Sequence, residues 1–385
     1  MSTLYSRLAT LSALAFAVSS LFVGCGGSGG NQKDEPDAPS VDEVAFARGA
    51  DVSWASEMEY DMEHNPARIN GSAFKDSKGN TGLYPVLKAA GINAIRLRVW
   101  VKPEDPNGWS GKDDVVNMAK RAAEAGMSVM IDFHYSDFFA DPSRQNTPAE
   151  WAGLDLKGLS AKVAEHTKDV LTALKSAGVT PHWVQVGNET RPGMLWETGR
   201  LYNDKGDIPG GWSNYAALTK AGYDAVKSVF PDAQVIVHID NAYEDNTWFF
   251  DKLKAAGGKF DMIGLSHYPV TNSGMTWKAM NSSAILNIKT LAAKYGCKVM
   301  VCEIGVRDTA SDLAVSTQCI TDFMNSVKSL SVCAGVFYWE PQVDGKWRPA
   351  IYEKQGRNWG AYDMGAFTSD GSAITPTSIL SAFGE

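Results

Sequence analysis

Residues 94–100 read Ala-Ile-Arg-Leu-Arg-Val-Trp, and residues 128–134 read Ser-Val-Met-Ile-Asp-Phe-His. Alternate side chains of a strand point to opposite faces, so Ile95, Leu97 and Val99 share one face of the first stretch and Arg96, Arg98 and Trp100 the other. The second stretch repeats the division, with Val129, Ile131 and Phe133 set against Asp132 and His134. Between the two, Val115 to Ala125 carries a helical pattern closed by Gly126, the residue that most readily ends a helix in the left-handed conformation. Strand, helix and strand in this order make a parallel βαβ unit. The apolar faces belong against the helices, so the arginines and Asp132 point the other way.

The unit recurs along the chain. Strand-like runs lie at Ala47 to Val52, Ala94 to Trp100, Ser128 to His134, Trp183 to Glu189, Gln234 to Ile239, Met262 to Tyr268, Lys298 to Gly305 and Gly335 to Trp339. Helical stretches such as Leu159 to Ala177 separate them, and Gly91 and Gly178 close two more. Eight units predict an α/β fold of the (β/α)8 TIM-barrel class, one catalytic domain over residues 44–385. A polar or aromatic residue stands near the C-terminal end of every strand: Asp51, Arg98, His134, Glu189, Asp240, His267, Glu303 and Trp339. In this fold that rim is where active sites are built.

Composition narrows the ligand. Acidic residues exceed basic ones by 44 to 36, a formal charge of −8, and no Lys/Arg-rich block offers a footprint for a phosphate backbone, which excludes nucleic acid. Aromatics make up 10% of the chain without a basic excess, a balance that suits a neutral polar ligand such as a sugar. Five cysteines in 385 residues are too few for a disulfide-stapled scaffold, and their spacing is not that of a zinc site.

The N-terminus reads as an address. Arg7 precedes an uncharged run from Leu8 to Val23, the pattern of a Sec export signal over residues 1–24. The run ends in Phe22-Val23-Gly24-Cys25, which resembles a lipobox with Cys25 as the lipidated residue. Residues 25–43 are Gly/Ser-rich and then Asp/Glu/Pro-rich, a flexible tether that cannot bury itself. Within it Lys33-Asp34-Glu35 resembles the surface-export signals of Bacteroidetes lipoproteins, so the expected location is the outer membrane or cell surface, with membrane contact only through the lipid.

Two carboxylates carry the chemistry. Val186-Gly187-Asn188-Glu189 ends the fourth strand and Val301-Cys302-Glu303-Ile304-Gly305 the seventh. Both glutamates share parity with residues assigned to the interior, and each follows an apolar run that would otherwise exclude a charge. Such a pair suits glycosidic cleavage, one carboxyl protonated to assist the leaving oxygen and the other ionised to attack the anomeric carbon. The alternative is two structural glutamates bonded to Arg96 or Arg98.

Five strand-end motifs now matter together: Gly49-Ala50-Asp51-Val52-Ser53-Trp54, Ile95-Arg96-Leu97-Arg98-Val99-Trp100-Val101, Ile131-Asp132-Phe133-His134-Tyr135-Ser136-Asp137, Trp183-Val184-Gln185-Val186-Gly187-Asn188-Glu189 and Tyr338-Trp339-Glu340-Pro341. In order and in content they resemble glycoside hydrolase family 53, the endo-β-1,4-galactanases, from about Ala47 to Phe383. The resemblance implies a retaining endo-glycosidase acting on β-1,4-galactan and type I arabinogalactan, with Glu189 as acid/base and Glu303 as nucleophile. It further implies that Asn188 bonds the sugar 2-hydroxyl and the nucleophile, that Arg98 in preference to Arg96 keeps Glu303 ionised, that His267 and Tyr268 stand beside Glu303, and that Trp339 is the platform at the cleavage point. The chemistry needs no cofactor. Some bacterial relatives hold a calcium ion between the loops after the seventh and eighth strands, for which Asp308, Asp312, Asp344 and Asp363 are the available ligands.

Seven further tryptophans, Trp54, Trp109, Trp196, Trp212, Trp248, Trp347 and Trp359, fall in loops or at helix starts. Indole packs on the C–H face of a pyranose, and Trp54, Trp100 and Trp347 are the preferred subsites, with Asp51, His134 and Asp137 as hydroxyl partners. Cys297 and Cys302 bracket one strand and cannot pair; Cys297 could meet Cys333, and Cys302 should face the helix carrying Cys319, bridged or as thiols. Two rival functions are another retaining endo-glycanase of the same clan, a mannanase or cellulase, and a non-catalytic glycan-binding surface lipoprotein. The Arg-Leu-Arg-Val-Trp and Asp-Phe-His-Tyr-Ser-Asp strings argue against the first, and the presence of both glutamates against the second.

Overall fold

The computed structural model describes residues 44, 46–269, 274–343, 347–354 and 363–384. Eight parallel strands close into a barrel: β1 Ala47–Asp51, β2 Ala94–Val99, β3 Ser128–Phe133, β4 Trp183–Val186, β5 Gln234–Ile239, β6 Met262–His267, β7 Val299–Ile304 and β8 Cys333–Trp339. Each pairs with its neighbours in sequence, and β1 closes the ring on β8 from Ala47↔Gly335 to Asp51↔Trp339. Helices cover the outside, among them α1 Ala55–His64, α2 Leu83–Ala89, α3 Lys112–Glu124, α4 Leu156–Ser176, α5 Gly211–Val229, α6 Thr247–Ala255, α7 Trp277–Tyr295 and α8 Leu313–Lys328. The (β/α)8 class expected from the sequence is the one observed. The export signal, Cys25, the tether, Asp344 and Trp359 lie outside the described residues.

Strand parity sorts the two cores. Ile95, Leu97 and Val99 join Val129, Ile131 and Phe133 in the layer under the helices, where α3 buries Val115, Met118, Ala119 and Ala122. The lower barrel interior is a separate apolar plug of Ala47, Ala94, Met130, Trp183, Ile236, Met262, Met300, Cys302, Ala334 and Phe337. Gly49 makes room for the Phe337 ring: a Cβ there would lie 2.1 Å from Phe337 Cδ1. The plug closes the floor, so any ligand must enter from the C-terminal rim. Truncating Phe337 to Ala would cost about 3–5 kcal/mol by leaving a cavity in that floor.

Alternation fails at one place that matters. Val299 and Val301 lie in the outer layer and Met300 and Cys302 inside, so strict parity would send Glu303 outward. The pairing of β6 with β7 jumps from Leu265↔Val301 to Ser266↔Glu303, a bulge that turns two consecutive side chains inward. The expectation that Cys302 faces the helix of Cys319 is therefore wrong: Cys302 fills the plug, and Cys297, Cys302, Cys319 and Cys333 are all free thiols.

Candidate active site

Above the plug the interior turns polar, and Arg96 is its hub. Its Nε donates to Gln185 Oε1 at 2.7 Å, one terminal nitrogen to Asp51 Oδ2 at 2.7 Å, and the other to Asp132 Oδ2 at 2.9 Å and Asn188 Oδ1 at 2.8 Å. That last nitrogen also lies 3.0 Å from Glu303 Oε1. A planar guanidinium with five N–H donors can serve this many acceptors; an ammonium with three cannot. The preference for Arg98 as partner of Glu303 is thus corrected to Arg96, because the ladder through β1 and β8 (Arg96 beside Asp51, Ala50 beside Tyr338, Tyr338 beside Ile304) sets Arg96 near the level of Glu303.

Glu303 is further gripped by Tyr268, whose hydroxyl donates to Oε2 at 2.7 Å. Glu189 follows β4 beyond Gly187, in the left-handed region at φ 46°. Gln145 Nε2 donates to the Asn188 carbonyl at 2.8 Å and the Glu189 carbonyl at 3.3 Å, securing that turn. Burial raises both carboxyls, but unequally. For Glu189 the charge of Glu303 and then of Asp240 adds to desolvation and drives it well above the usual range. For Glu303 the Arg96 charge and the Tyr268 hydrogen bond oppose desolvation. Glu303 therefore ionises first, which separates the pair into one acid and one anion.

Sequence reasoning passed over a relay beneath Glu189. His238, buried at the end of β5, accepts at Nδ1 from Gln185 Nε2 (2.9 Å) and the Glu189 amide (3.4 Å), with Asn188 Oδ1 at 3.0 Å. Its proton then sits on Nε2, which meets Ser266 Oγ at 2.9 Å. Burial and the nearby Arg96 charge keep this imidazole neutral, and the Ser266 hydroxyl is left to donate to Glu189. Period-2 counting inward from Asp132 and Gln185 would have found His238; Asp240, chosen for this strand, instead pairs with Arg191 at 2.5 Å.

The rest of the rim divides into cleft and support. Asp51, Arg96, Arg98, His134, Phe139, Ala140, Asp141, Asn188, Glu189, Tyr268, Glu303, Trp339 and Met364 line one cleft of about 240 Å³. His134 is fixed by Asp132 Oδ2 (3.0 Å) and by accepting the Ala140 amide (3.0 Å). Trp339, 9% exposed, faces the cleft. Asp137 does not: it caps the backbone amides of Lys102 and Ala149. His267 is also corrected. Its place in the alternation of β6 turns it outward, where it meets Asn281 Oδ1 at 2.9 Å and packs at a tilt against Phe323, while Ser266 takes the inward place.

Arg98 serves a different carboxylate, Glu340, at 2.6 Å, within a cage of Trp54, Trp100 and Phe139 whose ring centroids lie 4.1, 5.1 and 4.7 Å from the guanidinium carbon. Each such contact contributes on the order of 0.5–2 kcal/mol. Trp54 and Trp100 are 1% exposed and Trp347 0%, with Trp347 Nε1 bonded to Asp61 Oδ2 at 2.9 Å. None of the three is open to a sugar; they are the wall behind the cleft. Glu340, at φ 47°, went unassigned because nothing in Trp-Glu-Pro shows that its partner lies on β2.

Of the aspartates expected to hold calcium, Asp344 lies outside the described residues, and Asp308 donates its backbone amide to the Asp363 carbonyl at 3.0 Å. Asp312 precedes α8 and accepts from Thr309 Oγ1 at 2.5 Å, and Asp363 lies 3.4 Å from Arg348. Among the described residues no three His, Cys, Asp or Glu side chains are grouped so as to hold a metal ion.

With Glu303 buried and Glu189 half-buried at the ends of β7 and β4 over an arginine hub, the chain as a whole matches a known family. The model of glycosyl hydrolase family 53 covers residues 47–380. The chain belongs to this family. It is 35% identical to the arabinogalactan endo-β-1,4-galactanase of Thermothelomyces thermophilus over 80% of this chain and 94% of that one, and 31% identical to the endo-β-1,4-galactanase of Bacillus subtilis over 86% and 78%. A fungal β-1,4-galactanase structure superposes with TM-score 0.71 at 32% identity, covering 88% of this chain and 99% of the other. The family 53 catalytic domain of Ignisphaera aggregans gives the same TM-score at 27% identity, covering 90% and 97%. As a member of family 53 the protein is a glycosidase.

Proposed function

We propose that this family 53 glycosidase is a retaining endo-β-1,4-galactanase, cutting internal bonds of β-1,4-galactan and type I arabinogalactan by double displacement. The observation that carries the reading is the opposite electrostatic setting of Glu189 and Glu303 across one cleft. Glu189 gives its proton to the glycosidic oxygen as a Glu303 oxygen attacks C1; the C1–O bond breaks and a glycosyl ester forms on Glu303. Glu189, now a carboxylate, takes a proton from water, which attacks C1 from the opposite side and expels Glu303. Asn188, fixed by Arg96 and by its bond to the Ala140 carbonyl at 2.8 Å, holds the sugar 2-hydroxyl, and Trp339 supports the ring. The galactanase names of the relatives support the substrate. Proton NMR of linear galactan during digestion is expected to show new reducing ends first as the β-anomer, with viscosity falling early. New α-anomers would sink retention, and equal cutting of mannan or cellulose derivatives would sink the galactan assignment.

We also propose that Cys25 carries a lipid anchor at the cell surface. Its support is the uncharged run and the Gly24-Cys25 junction. Cys25→Ser is expected to move the enzyme from the membrane fraction to the soluble one.

A further inference from the structure

The cleft accounts for the sugar under attack, but an endo-acting enzyme must also hold the departing segment. Because Glu189 protonates the departing oxygen, that segment leaves over the rim on the Glu189 side, above the loops that follow β4 and β5. Those loops carry a second aromatic group. Trp248, in the first turn of α6, is 37% exposed, the most open tryptophan among the described residues. Its ring is nevertheless fixed on several sides: Trp212 meets it at 6.3 Å and 90°, Tyr202 at 6.5 Å and 60°, and Phe249 at 5.8 Å and 83°. Lys252 lies 5.7 Å from its centroid and bonds Asp207 Oδ2 at 2.6 Å. A scattered exposed aromatic needs no explanation; one held by three aromatic neighbours and a lysine while 37% of it stays exposed has the form of a stacking platform.

The platform is tied to the acid. Arg191 stands two residues after Glu189, and its guanidinium reaches the Asp240 carbonyl at 2.6 Å and Asn246 Oδ1 at 2.8 Å. Asn246 immediately precedes α6, two residues before Trp248. Around it Glu244, Asp207 and Lys252 supply exposed polar groups for hydroxyls. A polymer of alternating C–H faces and hydroxyl edges fits this mixture, and the Arg191–Asn246 hydrogen bond ties the start of α6 to the loop that begins at Glu189.

We propose that Trp248, backed by Trp212 and Tyr202, binds the departing, reducing-end side of the galactan chain, a binding site distinct from the cleft around Glu303. The inference rests on the galactanase reading above. The test compares kcat/KM on linear β-1,4-galactan with that on an aryl β-galactobioside, whose leaving group places no sugar over α6. In Trp248→Ala the galactan-to-aryl ratio is expected to fall roughly tenfold, about what one stacked ring contributes, and transfer to an added galactotetraose acceptor should fall with it. Trp248→Phe should restore most of the ratio. An unchanged ratio in the folded variant, or equal losses on both substrates, overturns the platform. Failure of the wild-type enzyme to cut galactan would instead overturn the galactanase reading itself.

Discussion

Glu189 and Glu303 face the same cleft from opposite sides of the barrel, yet the ground beneath them is built in opposite ways. At Glu303 the neighbours are a guanidinium at 3.0 Å and a phenol at 2.7 Å, both of which favour the anion. At Glu189 the charged neighbours are Glu303 and Asp240, which favour the acid, and the polar support is a neutral His238–Ser266 pair. Two identical side chains thus acquire two roles from second-strand and fifth-strand residues that sequence distance does not link to them. The largest effect should come from deleting the anion. Glu303→Ala is expected to lower turnover of galactan and of aryl galactosides alike by roughly 10⁵-fold or more, the scale of losing a covalent nucleophile. Comparable residual activity on the aryl substrate would show that the nucleophile is elsewhere.

Deleting the acid should be selective instead. Glu189→Ala is expected to lose about 10³-fold on galactan, whose leaving group needs a proton, and much less on an aryl galactobioside, whose leaving group does not. Azide should then accelerate breakdown of the intermediate and give a β-glycosyl azide. An α-azide from this variant would exchange the two roles.

The two arginines of β2 sharpen the contrast further. Arg96→Lys keeps a charge but cannot reach Gln185, Asp51, Asp132, Asn188 and Glu303 together, so kcat/KM should fall about a hundredfold, comparable to losing a preorganised donor. Arg98→Lys retains its single carboxylate partner, Glu340, and should cost far less. The pH profile separates them as well. Activity requires ionised Glu303 and is lost as pH falls through its pKa, so removing a group that favours the anion moves the acid limb to higher pH. Arg96→Lys should move it, Tyr268→Phe should move it by about one unit, and Arg98→Lys should leave it in place. A shift in the Arg98 variant would return that arginine to the role first read from the sequence.

That misreading shows what a sequence carries. Alternation placed Arg96, Arg98 and Asp132 inside the barrel, and it found all eight strands, because the apolar face of each must meet helices. It could not rank the two arginines by height, since strand stagger is a property of the closed ring. It assigned Glu303 inward for a reason that does not hold, because the bulge at Cys302 and Glu303 leaves no mark in the residues. Tryptophans were the least legible. Trp54 and Trp100 look like subsites by position, and only the long-range Arg98–Glu340 pair shows why they are walled in, whereas Trp248, packed on Tyr202, Trp212 and Phe249, keeps 37% of its surface exposed.

A buried carboxylate remote from the cleft is the control for the whole comparison. Glu57 of α1 is 2% exposed, accepts the Ala350 amide at 2.6 Å, and lies 3.6 Å from Arg68, away from the cleft. Desolvation raises it from 4.5 to about 7, a displacement in the same direction as that of Glu189 but without a substrate to serve. Between these two values the folded chain binds a proton that the unfolded chain does not, so stability must fall as pH rises from 4.5 through 7. The full loss, reached above pH 7, is at most about 3 kcal/mol for this shift. Glu57→Gln keeps the acceptor for Ala350 and removes the titration. It should leave Tm nearly unchanged at pH 5 and raise it by roughly 2–5 °C at pH 8, with activity on galactan retained. An equal change in Tm at both pH values would mean that Glu57 is ionised in the fold. Burial alone would then not raise a carboxyl here, and the elevated Glu189 would owe its proton to Glu303 and Asp240 rather than to desolvation.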